Sequence, residues 1–144
     1  MRLTFFLFFL FFFFSSKNTG AIQFESIETN NGIKFWLIED KTLPLVSVSF
    51  SFKGGSILDP VGQDGVTNLM TSLLDEGTQN FTASEYRLFK RKNGIKISFS
   101  TSKERIEGTF QVVKPRLQEG FYLLNESINK AKFPVKEIKK VKSQ

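Results

Sequence analysis

Strict alternation of apolar and polar residues predicts several strands with one buried face. Between residues 46 and 53, Val and Phe occupy every second position, with Ser or Lys between them. Residues 95–100 alternate in the same way, and residues 106–112 follow after the polar turn Ser102-Lys103-Glu104. A period of two places every second side chain on the same face of a strand. These segments therefore predict one half-buried strand and one β-hairpin.

A second strand pair is predicted nearer the start of the chain. Residues 22–28 and 34–39 flank the turn Asn30-Asn31-Gly32. An Asn-Gly step readily supplies the positive φ that a tight hairpin turn needs.

Helical spacing appears first in residues 65–76. Apolar side chains recur there at i, i+3, i+4, i+7 and i+8, and they are Val66, Leu69, Met70, Leu73 and Leu74. The opposite stripe is polar, with Thr67, Asn68, Thr71, Ser72 and Asp75. Asp64 is the expected N-cap and Gly77 the expected C-terminal stop. We expect an amphipathic helix that packs on the sheet through its apolar stripe.

Three further helices are predicted. Thr82 and Glu85 have the spacing of a capping box, for a short helix that ends near Asn93-Gly94. Pro115 suits the first turn of a helix with an apolar face, formed by Leu117, Phe121, Leu124 and Ile128. Phe133-Pro134 breaks it, and a last pattern follows through Val135, Ile138 and Val141. The order of elements predicts an α+β fold in which a mostly antiparallel sheet is packed with helices.

The helix from Gly65 to Thr78, read as G-V-T-N-L-M-T-S-L-L-D-E-G-T, resembles the metal-binding helix of insulinase and pitrilysin peptidases. That family carries H-x-x-E-H between a leading Gly and a trailing Gly-Thr. The mitochondrial processing peptidase has the same fold. Residues 31–56, with an opening Asn-Gly and a closing Gly-Gly-Ser, also resemble the family, so the resemblance extends to the C-terminus. It implies a zinc-peptidase N-terminal domain.

The three catalytic positions of the motif are replaced. The resemblance places Asn68 and Ser72 at the two His positions and Thr71 at the Glu position. An amide and a hydroxyl are poor zinc ligands, and Thr cannot accept a proton from a bound water as Glu does. The chain contains no His and no Cys. We therefore expect no catalytic residue and no metal or other cofactor in this chain, and whether it has any enzymatic activity stays open.

In active relatives, the strand before the polar turn holds the substrate as an added β-strand. The resemblance places the corresponding residues at Ser98, Phe99 and Ser100, a candidate peptide-binding segment. The alternative is that Phe99 is an ordinary core residue. Asp59, Asp64, Asp75 and Glu76 cluster near the motif helix, but loop and cap roles account for them. The third metal ligand, a Glu in the family, would lie just past Gln144, so we expect the domain of residues 22–144 to be incomplete.

The N-terminus predicts export. Met1-Arg2 precedes an apolar run, residues 3–14, in which eight of twelve residues are Phe. With Thr19 and Ala21 at its end, this segment is typical of a signal peptide covering residues 1–21. The alternative is an inner-membrane anchor, although twelve residues fall short of the roughly 20 that span a bilayer. We expect a periplasmic bacterial protein, in which the absence of Cys excludes disulfides.

Composition narrows the function classes further. The chain has a net charge of +6, of which Arg2 and Lys17 belong to the predicted leader. The remaining basic residues are mostly dispersed and not interleaved with aromatic residues, so a nucleic-acid role is disfavoured. The chain also contains no glycine-rich phosphate loop.

The resemblance then implies a non-catalytic subunit that pairs with an active H-x-x-E-H subunit carrying zinc and helps to bind a peptide or unfolded protein. Two alternatives stay open: an enzyme that acts alone through another site, and a stand-alone periplasmic peptide-binding or scaffold protein.

Overall fold

The computed structural model describes residues 24–143 and divides the chain after Thr42 into two compact units. The first unit is a hairpin of β1 (Glu25–Glu28) and β2 (Lys34–Leu37). The strands are antiparallel, with Ile27 opposite Phe35, and Gly32 takes a φ of 78° in the connecting turn. This confirms the predicted strand pair, except that residues 22 and 23 lie outside the described residues.

The second unit is an antiparallel three-stranded sheet with helices. Its strands are β3 (Leu45–Lys53), β4 (Lys96–Thr101) and β5 (Arg105–Val113), and β5 lies between the other two. The helices are α1 (Val66–Thr71), α2 (Ala83–Lys92), α3 (Leu117–Asn129) and α4 (Val135–Lys142). Two 3-10 turns, Ser56–Leu58 and Lys114–Arg116, complete the elements of this unit. The predicted α+β class is confirmed.

The sheet of the second unit has one apolar and one polar face, as the alternation predicted. Ile97, Phe110 and Val112 are buried on the apolar face, where they pack with Tyr86 of α2 and Leu123 of α3. Gly120 lets α3 approach β5 closely, because a Cβ there would lie 2.8 Å from the Phe110 ring. The polar face carries exposed hydroxyls from Ser47, Ser49, Ser98, Ser100 and Thr109.

The capping box of α2 is confirmed. The Thr82 hydroxyl accepts a hydrogen bond from the Glu85 backbone N–H, and the Glu85 carboxylate accepts one from the Thr82 N–H at 2.8 Å. The latter bond holds the pKa of Glu85 below its usual value. Gly94 follows the helix with a φ of 61°, as expected for a glycine stop.

The face predicted for α3 is confirmed for Leu124, which is buried, and for Leu117, which packs against the core, but not for its other two residues. Phe121 and Ile128 are 45% and 38% exposed, whereas the buried stripe contains Gly120, Leu123, Leu124, Glu126 and Ser127. The apolar spacing was compatible with either stripe, and the close approach at Gly120 selects the observed one. In α4, Val135 is likewise exposed while Glu137 is buried. Among residues 24–143, none of the helices is long and apolar enough to cross a membrane.

Candidate functional site

The start of α1 is fixed by the carboxylate of Asp59, for which the sequence indicated only a general loop or cap role. Asp59 accepts hydrogen bonds from the backbone N–H of Gly65 at 2.7 Å and of Thr67 at 2.9 Å, and from the Thr67 hydroxyl. The bonds from Thr67 hold the pKa of Asp59 below its usual range. Gly65, with a φ of 92°, is the N-cap residue, so the prediction of Asp64 as the cap is wrong.

The helix is also shorter than predicted. It ends at Thr71, six residues before Gly77. The hydroxyls of Thr71 and Ser72 both donate to the carbonyl of Asn68 at 2.9 Å. Beyond them, the N–H of Leu73 bonds to the carbonyl three residues earlier, in a 3-10 pattern. Hydroxyl groups that bond back to the helix compete with its regular ladder and favour an early end.

Burial on α1 departs from the predicted stripes. Val66 is 45% exposed, and Leu69, Met70 and Leu74 are half-buried, so that Leu73 is the buried member of the apolar stripe. Thr71, assigned to the polar stripe, is only 2% exposed.

The two replaced His positions, Asn68 and Ser72, face an open cleft of about 500 Å³. Both residues are exposed, and α4 contributes Val141 and Lys142 to the opposite wall. The Ser72 hydroxyl already donates to a backbone carbonyl, and the Thr71 hydroxyl is buried. These donors do not fit zinc, which binds imidazole, thiolate or carboxylate. Within residues 24–143, no three His, Cys, Asp or Glu side chains lie close enough to hold a metal ion.

The acidic residues after α1 form ion pairs that hold neighbouring helices together. Asp75 pairs with Lys90 of α2 at 3.1 Å. Glu76 forms ion pairs with Arg87 of α2 at 2.6 Å and with Lys140 of α4 at 3.1 Å. The bond to Glu76 raises the pKa of Lys140. Asp75 and Glu76 thus act as ion-pair partners of other helices rather than in the loop and cap roles expected from the sequence.

The candidate peptide-binding residues lie on an edge strand next to α1. Ser98, Phe99 and Ser100 are in the middle of β4, against which α1 packs. In the part of the chain that the structure describes, β4 pairs with β5 on one side and with no strand on the other. Phe99 packs edge-on against Phe50, with ring centroids 6.3 Å apart, and it is partly exposed. The fold thus brings the helix that carries one group of predicted site residues against the strand that carries the other.

A buried carboxylate at Glu126 was missed by the sequence analysis. Its side chain accepts hydrogen bonds from Thr78 and Asn80, each at 3.0 Å, and from Lys130 at 2.8 Å. Burial raises the pKa of this carboxyl, but the three donors outweigh burial and hold the pKa below its usual value. Glu126 on α3 and Lys130, the C-cap residue of that helix, are four residues apart, a spacing that could have indicated the ion pair.

Two comparisons relate this chain to known proteins, one with a family model and one with a curated relative. The model of the family described as insulinase (peptidase family M16) matches residues 34–144. A curated relative, the non-peptidase homolog YmxG of Helicobacter pylori, is 27% identical over 106 residues. That alignment covers 74% of this chain and 24% of the relative, so the chain spans about a quarter of the relative's length.

Two solved structures have the same fold. A peptidase M16 inactive domain from Pseudomonas fluorescens superposes with a TM-score of 0.76 at 20% identity, covering 85% of this chain and 30% of that one. A protease from Helicobacter pylori superposes with a TM-score of 0.67 at 21% identity, covering 84% and 30%. One of these proteins is described as inactive and the other as a protease, so the shared fold does not decide activity.

Proposed function

Because this chain belongs to the insulinase family of peptidases (M16) and lacks that family's catalytic residues, we propose that it is a non-catalytic subunit. It pairs with a separate chain that retains H-x-x-E-H and carries the zinc, and it helps to bind the peptide substrate. We propose that it works in a bacterial periplasm after removal of residues 1–21.

One observation carries this proposal. The short motif helix is held in place at both ends, since Asp59 anchors its start, ion pairs hold the turn after it, and the helix packs against β4. Asn68, Thr71 and Ser72 occupy the positions that bind the metal and activate its water in family peptidases, and their side chains are neutral and poor metal ligands. A chain with this arrangement retains the surface beside the edge strand without the hydrolytic chemistry. The description of a relative as a non-peptidase homolog supports it.

A stand-alone periplasmic peptide-binding or scaffold protein is the second candidate. The edge of β4 supports it, because no strand of the described residues pairs there, and an unpaired edge can bind an extended peptide without any second subunit. In this case, the predicted leader could also remain as an inner-membrane anchor.

The two candidates are separated by isolating the tagged full chain from its native cells and assaying peptidase activity with and without a zinc chelator. The subunit proposal expects chelator-sensitive activity that co-purifies with a second chain bearing H-x-x-E-H. An inactive protein without a partner would favour the stand-alone protein.

A matched variant tests whether the chain itself is non-catalytic. Asn68→Ala/Ser72→Ala removes the side chains at both replaced ligand positions, which are exposed. The co-purifying activity should be unchanged in this variant. If activity is lost while the second chain is still recovered, these residues contribute to catalysis and the proposal is wrong.

A further inference from the structure

The two faces of β4 differ sharply in chemistry. Ser98 and Ser100 lie on the polar face, where the Ser98 hydroxyl is 2.7 Å from that of Thr109. Phe99 lies on the other face, where its ring packs against Phe50, and Phe50 in turn packs against Phe52. We call these three aromatic residues the aromatic shelf. Phe52 is 49% exposed and Phe99 partly exposed, so the shelf lies beyond the fully buried core.

The shelf depends on a glycine in the central strand. Gly108 lies directly opposite Phe99 in the β4–β5 register and directly opposite Phe50 in the β3–β5 register. A Cβ at this position would lie 2.2 Å from the Phe50 ring. The ring of Phe50 therefore lies over Gly108 and approaches Phe99 from across the central strand.

The backbone of Phe99 is directed towards the open edge. The N–H of Ser102 donates to the carbonyl of Arg105 at 2.8 Å, which makes this pair a hydrogen-bonded one. Hydrogen-bonded pairs alternate along an antiparallel ladder, so Ser100 and Ser98 also bond to β5. The intervening residues Phe99 and Thr101 then direct their N–H and C=O groups away from β5. On the other side of β5, the N–H of Gly54 donates to the carbonyl of Glu104. Even-numbered residues of β5 therefore bond to β3, which leaves the odd-numbered residues of β5 to bond to β4.

From this geometry we infer that the β4 edge selects extended peptides in which apolar and polar residues alternate, with an apolar residue directly opposite Phe99. This inference rests on the proposed peptide-binding function and specifies its substrate class. In an antiparallel addition, the residue opposite Phe99 exchanges backbone hydrogen bonds with it and lies on the same face, beside the shelf. Its two neighbours lie on the hydroxyl face beside Ser98 and Ser100.

We propose antiparallel addition because both strand pairs in this sheet are antiparallel. The opposite edge of the sheet has the reverse arrangement. In the β3–β5 ladder, the alternation of hydrogen-bonded pairs leaves the N–H and C=O groups of Ser47, Ser49 and Ser51 pointing away from β5. These residues lie on the polar face. An apolar residue bonded at that edge would gain no aromatic neighbour. The shelf therefore distinguishes the β4 edge from the β3 edge.

The test measures the dissociation constants of two synthetic peptides of equal composition for the full chain. One peptide alternates Val and Thr, and the other carries the same residues in two blocks. We expect the alternating peptide to bind about two- to fivefold more tightly, the contribution of one or two cross-strand pairs with an aromatic residue. Equal binding of both peptides would overturn the inference while leaving the peptide-binding function intact. Binding of neither would contradict the function itself.

N-methylation of the alternating peptide tests the direction of the backbone groups. Methylating one central Val amide should weaken binding about tenfold, because it leaves a β4 carbonyl without its donor. Methylating the neighbouring Thr amide should be tolerated, since that N–H points away from β4. The reverse result would place the polar residues in the bonded positions and overturn the inference.

Substitutions on β4 provide the matched control. Phe99→Ala should reduce the preference for the alternating peptide to near unity, whereas Phe99→Leu and Ser100→Ala should retain it. A preference that survives Phe99→Ala in folded protein would contradict the role of the shelf. If Phe99→Ala fails to fold, the N-methylation series on the unmodified chain still decides the question.

Discussion

Helices α1 and α3 lie in the same unit but differ in how two pairs of polar residues are placed. On α3, Glu126 and Ser127 are fully buried, and each is held by partners from other segments. On α1, Asn68 and Ser72 are exposed, and the Ser72 hydroxyl bonds within its own helix. The polar groups of α3 hold the fold together, whereas those of α1 leave a neutral surface at the positions where family peptidases bind metal.

The contrast indicates that the position of α1 and of the turn after it does not depend on metal ligands at the motif positions. Glu126 of α3 holds the segment after α1, because its carboxylate accepts hydrogen bonds from Thr78 and Asn80. A backbone bridge between Thr78 and Ala131 joins the same two parts of the chain. Asp59 holds the other end. The segment can therefore keep its position while residues 68, 71 and 72 lack metal ligands.

The largest expected effect tests whether α3 carries more of the stability than α1. Leu123 on α3 is fully buried, and Leu69 on α1 is half-buried. Leu123→Ala should lower the free energy of unfolding by about 3 kcal/mol, through lost burial and a residual cavity. Leu69→Ala should cost about 1 kcal/mol, because less apolar area leaves contact with the protein. Denaturant unfolding measures both, and equal losses would remove the contrast between the helices.

A smaller and pH-dependent effect is expected from Glu126→Gln. At neutral pH the variant should lose about 1–3 kcal/mol, because the charged hydrogen bonds to Thr78, Asn80 and Lys130 are weakened. The folded pKa of Glu126 is lowered, so its stabilisation is fully present above the unfolded pKa of about 4.3 and is lost as the pH falls through the folded value. Thermal unfolding of both proteins should therefore converge in acid.

Glu119→Gln on the same helix is the control for this experiment. Glu119 pairs with Arg116 at the more exposed first turn, and we expect a smaller change. A gap between wild type and Glu126→Gln that stayed constant down to acid pH would contradict the charged role of Glu126.

The smallest effect is expected on α1. Asn68→His/Ser72→His places two imidazoles four residues apart on an exposed surface, and stability should change by no more than about 0.5 kcal/mol. Zinc binding, measured by calorimetric titration, should be weak, since two ligands do not make a site. Tight binding would show that the described residues supply a third ligand.

Adding Thr71→Glu to this double variant should lower stability, because Thr71 is 2% exposed and a carboxylate there must be buried or displace its neighbours. If the triple variant were as stable as the double variant, α1 would be more adaptable than its packing indicates.

Much of the fold followed from local patterns. The alternation in β3 and β5, the Asn-Gly turn and the Thr82–Glu85 capping box each act over a few residues, and each was confirmed. The predictions that were wrong concern the ends of α1, where Gly65 rather than Asp64 is the cap and the helix stops before Gly77, and parts of the buried faces of helices. Spacing allowed two stripes on α3, and the close approach of Gly120 to Phe110 selected one. Sequence likewise showed that the motif lacks its ligands, but it did not show that Thr71 is buried.

The sequence by itself determined the family, the alternating faces of the strands and the absence of His and Cys, because residue identities and short-range periodicity are written directly in the chain. Only the tertiary structure decided that Asp59 rather than Asp64 anchors α1, that Glu126 holds the turn after it, and that Phe99 joins Phe50 beside an open edge. The last two depend on contacts between segments distant in sequence, and the first depends on a loop of six to eight residues whose geometry no short-range periodicity specifies. The energy of such a contact depends on burial and geometry that no local pattern specifies.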